Sequence, residues 1–92
     1  MGSGPPKADK ALMKYFVYVL QSLTTRKRYI GYTADLVKRV SEHNSGLSIY
    51  TKNRGPWKVV HIEKFSDRVE AIRRERFLKS GKGREYLSNL RK

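Results

Sequence analysis

Five side chains in this sequence have the types and spacing needed for phosphodiester chemistry. They are two phenols, a guanidinium, an imidazole and a carboxylate: Tyr18, Tyr29, Arg39, His43 and Glu75. A phenol or an imidazole can move protons, a guanidinium stabilises negative charge on phosphoryl oxygens, and a carboxylate can hold a hard cation. These are the groups that a metal-assisted hydrolysis requires, so the surrounding elements have to bring them to one place.

The hydrophobic pattern predicts the elements that carry these side chains. Alternating segments predict strands over residues 15–21, 28–32 and 57–65, and the polar segment between the first two predicts a hairpin. Helical periodicity follows the second strand and the third. We therefore expect one domain over residues 15–92, an α/β protein of the α+β type. Its small three-stranded sheet, largely antiparallel, is flanked by helices in the order ββαβαα.

The helix ends are predicted from capping residues. Thr33 is expected to cap the first helix, with Asp35 in its first turn. The apolar stripe of this helix is expected to hold Leu36, Val40, His43 and Leu47, and Gly46 to stop it.

The later helices are predicted in the same way. Asp67 and Glu70 resemble a capping box for a second helix that runs to about Ser80. The run Gly81-Lys82-Gly83 is expected to break that helix before a last one over residues 84–90. Residues 1–14 begin with Met1-Gly2-Ser3-Gly4-Pro5-Pro6 and are expected to be a disordered tail or an expression remnant.

Each candidate residue also has a structural alternative. A tyrosine in a strand usually serves packing, and a lone histidine on an apolar stripe is usually a hydrogen-bonded core residue. Arg39 alone could be one more surface charge. Gly31, two residues after Tyr29, leaves that face of the strand without a side chain, so it either marks a bulge or opens room for a ligand or another backbone.

Glu75 is the most informative single residue. At 100° per residue, Ala71, Ile72 and Leu78 fall within about 60° of it, so this carboxylate lies on the packing face of its helix. Such a carboxylate costs free energy unless an ion or several donors satisfy it. An ion pair with one of the many arginines is one explanation, and a ligand for a single Mg²⁺ is the other.

The strongly positive net charge of the chain indicates a negatively charged binding partner. The 92 residues contain 21 Lys plus Arg and 8 Asp plus Glu, a net charge of +13, which favours binding to a polyanion such as nucleic acid. The chain has no cysteine and only two histidines, which excludes a disulfide framework and a closed zinc site. No apolar run is long enough for a membrane span and no secretory signal is present, so a cytoplasmic location is expected.

Several short runs carry a family resemblance. They are Phe16-Val17-Tyr18, Tyr29-Ile30-Gly31-Tyr32-Thr33, Asp35-Leu36-Val37-Lys38-Arg39 and His43-Asn44, extended by Thr51, Arg54-Gly55-Pro56-Trp57, Glu70-Ala71, Glu75 and Leu78-Lys79. Between residues 15 and 87 the chain resembles the GIY-YIG nuclease superfamily, and most closely its small stand-alone bacterial subgroup. The first motif departs from the family pattern, because Phe16 and Val17 stand where the family has Gly and Ile.

The resemblance implies a role for each candidate. Tyr18 would be the general base, made usable at neutral pH by its cationic surroundings and a metal. Tyr29 would orient the attacking water or hold the phosphate, and Arg39 would balance charge on the phosphoryl oxygens. His43 would bind phosphate or tune Tyr18. Glu75 would hold one Mg²⁺, with Mn²⁺ as a substitute.

The expected activity is therefore metal-dependent endonucleolytic hydrolysis of DNA. The alternative is a non-catalytic module that binds DNA or RNA in the same basic groove. Tyr50 or Tyr32 could stack on an unpaired base, and a protein partner could direct so small a nuclease to its target. Seven basic residues are candidates for contacts with the phosphate backbone: Lys52, Arg54, Lys58, Arg73, Arg76, Lys82 and Arg84.

Overall fold

The structure is a computed structural model that describes residues 14–90. Its elements are β1 Tyr15–Ser22, β2 Arg28–Thr33, α1 Leu36–Asn44, β3 Trp57–Phe65, α2 Arg68–Lys79 and α3 Gly81–Asn89. The strands form one antiparallel sheet in the order β2-β1-β3, which confirms the expected fold class. No helix within these residues has the length and apolar character needed to cross a membrane. Apart from Lys14, the expected tail lies outside the described residues.

The central strand β1 is buried on both faces, and its alternating side chains build two separate cores. Tyr18 and Leu20 pack with Trp57 and with apolar residues of α1 on one face. Val17 and Val19 pack on the other face against Ala71 and Leu78 of α2 and Leu87 of α3. The sheet therefore separates a layer made by α1 from a layer made by α2 and α3.

A bulge in β3 lets this strand contribute side chains to both cores, although more buried and more exposed residues alternate along it without interruption. Leu20 pairs with Val59, whereas the preceding residue Val19 pairs with His61, so the register shifts by one residue between them. Because a one-residue shift exchanges the faces of a strand, Trp57 and Val59 turn toward α1. His61, Glu63 and Phe65 turn toward α2 and α3.

The start and end of α1 differ from the prediction. Asp35 is the N-cap, accepting a hydrogen bond from the backbone N–H of Lys38, and Thr33 instead accepts from the N–H of Asp35. The Asp35 side chain, two residues after Thr33, thus satisfies the helix N-terminus. Leu47 lies beyond the last helical residue, Asn44, and is 75% exposed, so it does not belong to the apolar stripe.

The expected break between the last two helices is present, but it lies at Ser80 and not in the glycine run, because α3 already begins at Gly81. Ser80 ends α2 and caps α3 by accepting from the N–H of Gly83. A Cβ at Gly83 would collide with the carbonyl oxygen of Phe77 and the backbone of Leu78. Gly83 therefore permits the close approach of the two helices, whereas Gly81 has open space around it.

Glu63 of β3 forms an ion pair with Arg74 of α2, which joins the layer of α2 and α3 to the sheet. Burial opposes its charge, but two hydrogen bonds from Arg74, of 2.7 and 3.1 Å, and a contact of 2.7 Å with the His61 ring hold its pKa below the usual value. The guanidinium of Arg74 also lies 4.9 Å from the ring centres of Phe77 and Tyr86. The Glu63 carboxylate therefore stabilises the packing of α2 on the sheet, on the face away from Tyr18.

The two glycines of α3 provide a matched test of this packing. Gly83→Ala is expected to lower the free energy of unfolding by about 1–3 kcal/mol, because overpacking forces the helices apart. Gly81→Ala, where nothing lies within 4 Å of the new Cβ, is expected to be neutral or to stabilise by up to about 1 kcal/mol through helix propensity. Urea denaturation measures both, and equal effects would contradict the close approach at Gly83.

Candidate active site

The antiparallel register of β1 and β2 places both phenols on the α1 face of the sheet. Tyr18 pairs with Gly31, and Leu20 pairs with Tyr29. The ring centres of Tyr18 and Tyr29 are 6.3 Å apart. This is the shared face that the hairpin prediction requires.

The space beside the Cα of Gly31 is occupied and not open. A Cβ at Gly31 would lie 2.7 Å from the hydroxyl oxygen of Tyr18 and 3.2 Å from the ring of Tyr29. Since real Cβ contacts are never that short, any larger residue would push the Tyr18 phenol away. The expected room for a ligand or another backbone is taken by the tyrosine itself.

His43 joins the phenols from α1 and is almost fully buried, with 1% exposure. Its Nε2 lies 3.0 Å from the Tyr18 hydroxyl and its Nδ1 lies 2.8 Å from the hydroxyl of Thr51. Its ring centre is 4.7 Å from that of Tyr29. The structure therefore makes His43 both a hydrogen-bonded core residue and a neighbour of both phenols.

Burial decides the protonation of Tyr18. Loss of water raises the pKa of Tyr18 to about 12; the Arg39 guanidinium acts against this, and Tyr29 and Glu75 add to it. Arg39 makes this phenol easier to ionise, as expected, but in the protein alone burial outweighs the neighbouring charge. Tyr18 is a neutral phenol at neutral pH.

At neutral pH His43 is uncharged, whereas Arg39 carries a positive charge. Burial, and then the charge of Arg39, lowers the pKa of His43 below its usual value, so the imidazole is neutral at neutral pH. Arg39 donates to Glu42 at 2.9 Å, and this hydrogen bond, followed by its contacts with the phenols, raises the pKa of the guanidinium. The site thus has one permanent cation beside a neutral phenol–imidazole pair.

Glu75 lies on α2, and its charge adds to the rise in the pKa of Tyr18. Its side chain is 17% exposed, accepts a hydrogen bond of 2.9 Å from Lys79, and is close enough to influence the pKa of Tyr18. The ion pair expected with an arginine is made with Lys79 instead. Glu70, on the same helix, is exposed.

The donor set fits a single hard cation and not a protein-only cage. Within residues 14–90, no group of three or more His, Asp or Glu side chains is arranged to hold a metal ion. Glu75 offers one carboxylate near Tyr18, which suits Mg²⁺, an ion that commonly takes one or two carboxylates, several waters and a substrate phosphate.

Comparison with known proteins identifies the domain. The family model described as the GIY-YIG catalytic domain matches residues 14–87. The chain belongs to the GIY-YIG nuclease superfamily. The first motif of this GIY-YIG domain keeps the tyrosine but has Phe16 and Val17 before it.

Similar proteins are small and match the GIY-YIG domain over most of their length. A UPF0213 protein of Listeria innocua is 44% identical over 79 residues, which cover 82% of this chain and 87% of the relative. One from Haloquadratum walsbyi is 40% identical over 67 residues, 72% and 74% of the two chains. The solution NMR structure of a UPF0213 protein from Bacillus halodurans is 35% identical, covers 83% of both chains and has a TM-score of 0.52.

A basic cleft of about 1220 Å³ adjoins the GIY-YIG site along the β2 edge of the sheet. Tyr29 lines it together with Tyr50, whose ring stacks at 6.4 Å between centres and is 70% exposed. Five basic residues also line the cleft: Arg26, Lys27, Arg28, Lys79 and Arg84. The cleft therefore combines positive charge with an exposed aromatic ring beside a candidate catalytic tyrosine.

Sequence reasoning located this basic surface only in part. All seven predicted phosphate-contact residues are exposed, but of these only Arg84 lines the cleft; Lys58 lines a second cavity, which also contains His61 and Leu90. The turn residues Arg26 and Lys27 were missed because nothing local distinguishes them from ordinary surface charges. Glu42 and Thr51, which contact Arg39 and His43, were likewise given no role.

The charge state of His43 can be measured in the intact protein. In an NMR titration its ring is expected to take up a proton below about pH 6.5, the ordinary histidine value. Because the folded-state pKa is the lower one, the stability due to neutral His43 is complete above about pH 6.5 and is lost as the pH falls through the folded-state pKa. A His61→Gln variant assigns the signal, and a His43 midpoint at or above 6.5 would contradict its burial.

Proposed function

We propose that this GIY-YIG domain is a Mg²⁺-dependent endonuclease that hydrolyses DNA phosphodiester bonds, with Mn²⁺ as a substitute ion. The observation that carries the proposal is the buried hydrogen bond between Tyr18 and His43, placed beside Arg39 and Tyr29. A neutral phenol in contact with a neutral imidazole is a route for moving a proton, whereas binding alone requires no such pair.

The proton path follows from the two charge states. The attacking water gives a proton to the Tyr18 oxygen while Tyr18 passes its own proton to His43 Nε2. A phenol whose pKa is about 12 then need not be ionised beforehand. The water oxygen forms the new bond to phosphorus, the bond to the leaving oxygen breaks, and that oxygen takes a proton from solvent. His43 then releases the proton that it accepted to solvent, which restores the neutral pair. Tyr18 is only 1% exposed, so the water it serves enters with the phosphate.

The remaining residues stabilise charge and orient the substrate. Arg39, a permanent cation next to Tyr18, balances the negative charge that develops on the phosphoryl oxygens. Glu75 would hold the metal ion, which when bound supplies positive charge at the phosphate. Lys79 has to leave Glu75 for this, and its position in the basic cleft allows it to contact the nucleic-acid backbone instead.

The cleft supports nucleic acid as the substrate. Phosphates of a strand lying along the β2 edge would meet the basic side chains of the turn and of α3, and Tyr50 offers a face on which a base can stack. The strand would then pass directly over Tyr29. The binding-module alternative uses the same cleft, and what separates it from the enzyme is Glu75, which phosphate binding does not need.

One substitution on α2 tests the activity. Glu75→Gln is expected to lower Mg²⁺-dependent DNA cleavage on the order of 10²–10³-fold, because the metal loses its carboxylate. Its effect on stability should be small, since an (i, i+4) helix pair with a half-exposed lysine is worth only about 0.3–0.5 kcal/mol. Cleavage of single-stranded, duplex and branched DNA, and of RNA, is measured with and without Mg²⁺.

Glu70→Gln is the matched control, because it removes an exposed carboxylate from the same helix. It should leave the rate unchanged, and Glu75→Gln should still bind DNA in the absence of metal. Tight binding by the parent protein without Mg²⁺-dependent products would establish the binding module instead. Equal rates for the two variants would remove Glu75 from the site.

A further inference from the structure

We infer that Thr51 is a positioning residue that keeps the His43 proton on Nδ1, so that Nε2 stays free to accept the proton of Tyr18. The inference rests on the proposed function for its catalytic consequence. Its structural half, the tautomer of His43, rests on the buried contacts of the two ring nitrogens together with the charge of Arg39 and does not depend on the activity.

Both ring nitrogens of His43 lie within hydrogen-bond distance of a hydroxyl group. Each has one neighbour: Nε2 lies 3.0 Å from the Tyr18 hydroxyl, and Nδ1 lies 2.8 Å from the Thr51 hydroxyl. All three residues are at most 1% exposed, so bulk water does not compete for these contacts. A neutral imidazole carries a single proton, so one nitrogen donates and the other accepts.

Arg39 determines the direction of these hydrogen bonds. A guanidinium can only donate, and the positive charge of Arg39 is near enough to Tyr18 to act against the rise in the pKa of the phenol. This charge favours a Tyr18 proton that points away from Arg39, and His43 Nε2 is the acceptor within reach. With Nε2 accepting, the imidazole proton is on Nδ1 and is donated to the oxygen of Thr51.

The loop between α1 and β3 holds Thr51 in this position. Its carbonyl oxygen accepts from the indole N–H of Trp57 at 3.0 Å and from the N–H of Arg54 at 3.2 Å. Its own N–H donates to the carbonyl of Ser48 at 3.3 Å. The side chain of Asn44 in turn bonds both the N–H and the C=O of Trp57, at 2.7 and 3.1 Å. The loop is thus tied to the end of α1, one residue after His43.

Removing the hydroxyl should reverse the tautomer. In Thr51→Val, which keeps the shape of the side chain, Nδ1–H has no acceptor in a buried site. The proton is then better placed on Nε2, where it can be donated to the oxygen of Tyr18. In that state His43 has no free lone pair facing Tyr18, and the phenol cannot pass on its proton.

The tautomer is measured by ¹⁵N NMR of the histidine ring at about pH 8, in the protein without metal or substrate. The parent and Thr51→Ser are expected to carry the proton on Nδ1, and Thr51→Val on Nε2. A parent protein with the proton on Nε2, or a Val variant with the parent's tautomer, would overturn the inference. The parent spectrum decides the assignment even if the Val variant does not fold.

Cleavage kinetics test the catalytic half. Thr51→Val is expected to lower kcat about 10- to 100-fold with KM little changed, the usual loss when a residue that orients a histidine is removed. Thr51→Ser should restore most of the rate, which a purely structural role of the Thr methyl group would not allow. If the parent does not cleave DNA, the proposed function fails while the tautomer result still stands. If Thr51→Val cleaves like the parent, the positioning role fails alone.

Discussion

The structure around the site depends on the pairing of Tyr18 with Gly31 across β1 and β2. Only a residue without a side chain leaves room for the Tyr18 phenol beside the neighbouring strand, and only in this register does its hydroxyl reach His43 on α1. A shift by one residue would turn Tyr18 and Tyr29 toward α2 and α3. The register of this hairpin thus fixes which groups can meet.

Burial gives this site its chemical character. Removing Tyr18 from water raises its pKa, and the same environment lowers the pKa of His43. Both effects favour neutral partners before the reaction, and because Tyr18 gains a proton from water as it gives one to His43, the relay requires no free tyrosinate. The permanent charge lies at the margin, on Arg39 with Glu42 and on Glu75 with Lys79. A neutral centre between charged edges suits a reaction in which the negative charge is brought by the substrate.

Local patterns in the sequence were sufficient for the elements and for the shared face. Alternation separates Tyr18 from Val17, and a spacing of four brings Arg39 and His43 together on a helix. The remaining features depend on contacts between distant segments. The alternation of β3 continues unchanged through its bulge, so the change of face leaves no trace in the sequence. Thr51 is an ordinary loop residue until the fold places it against His43.

The most direct test of the account is cleavage by Tyr18→Phe. This variant keeps the ring and its packing but removes the hydroxyl that meets His43. Tyr18→Phe is expected to bind DNA like the parent. Its Mg²⁺-dependent cleavage is expected to fall on the order of 10²–10⁴-fold, the usual contribution of a general base. Cleavage at the parent's rate would contradict the central claim, that the buried phenol–imidazole pair moves the proton.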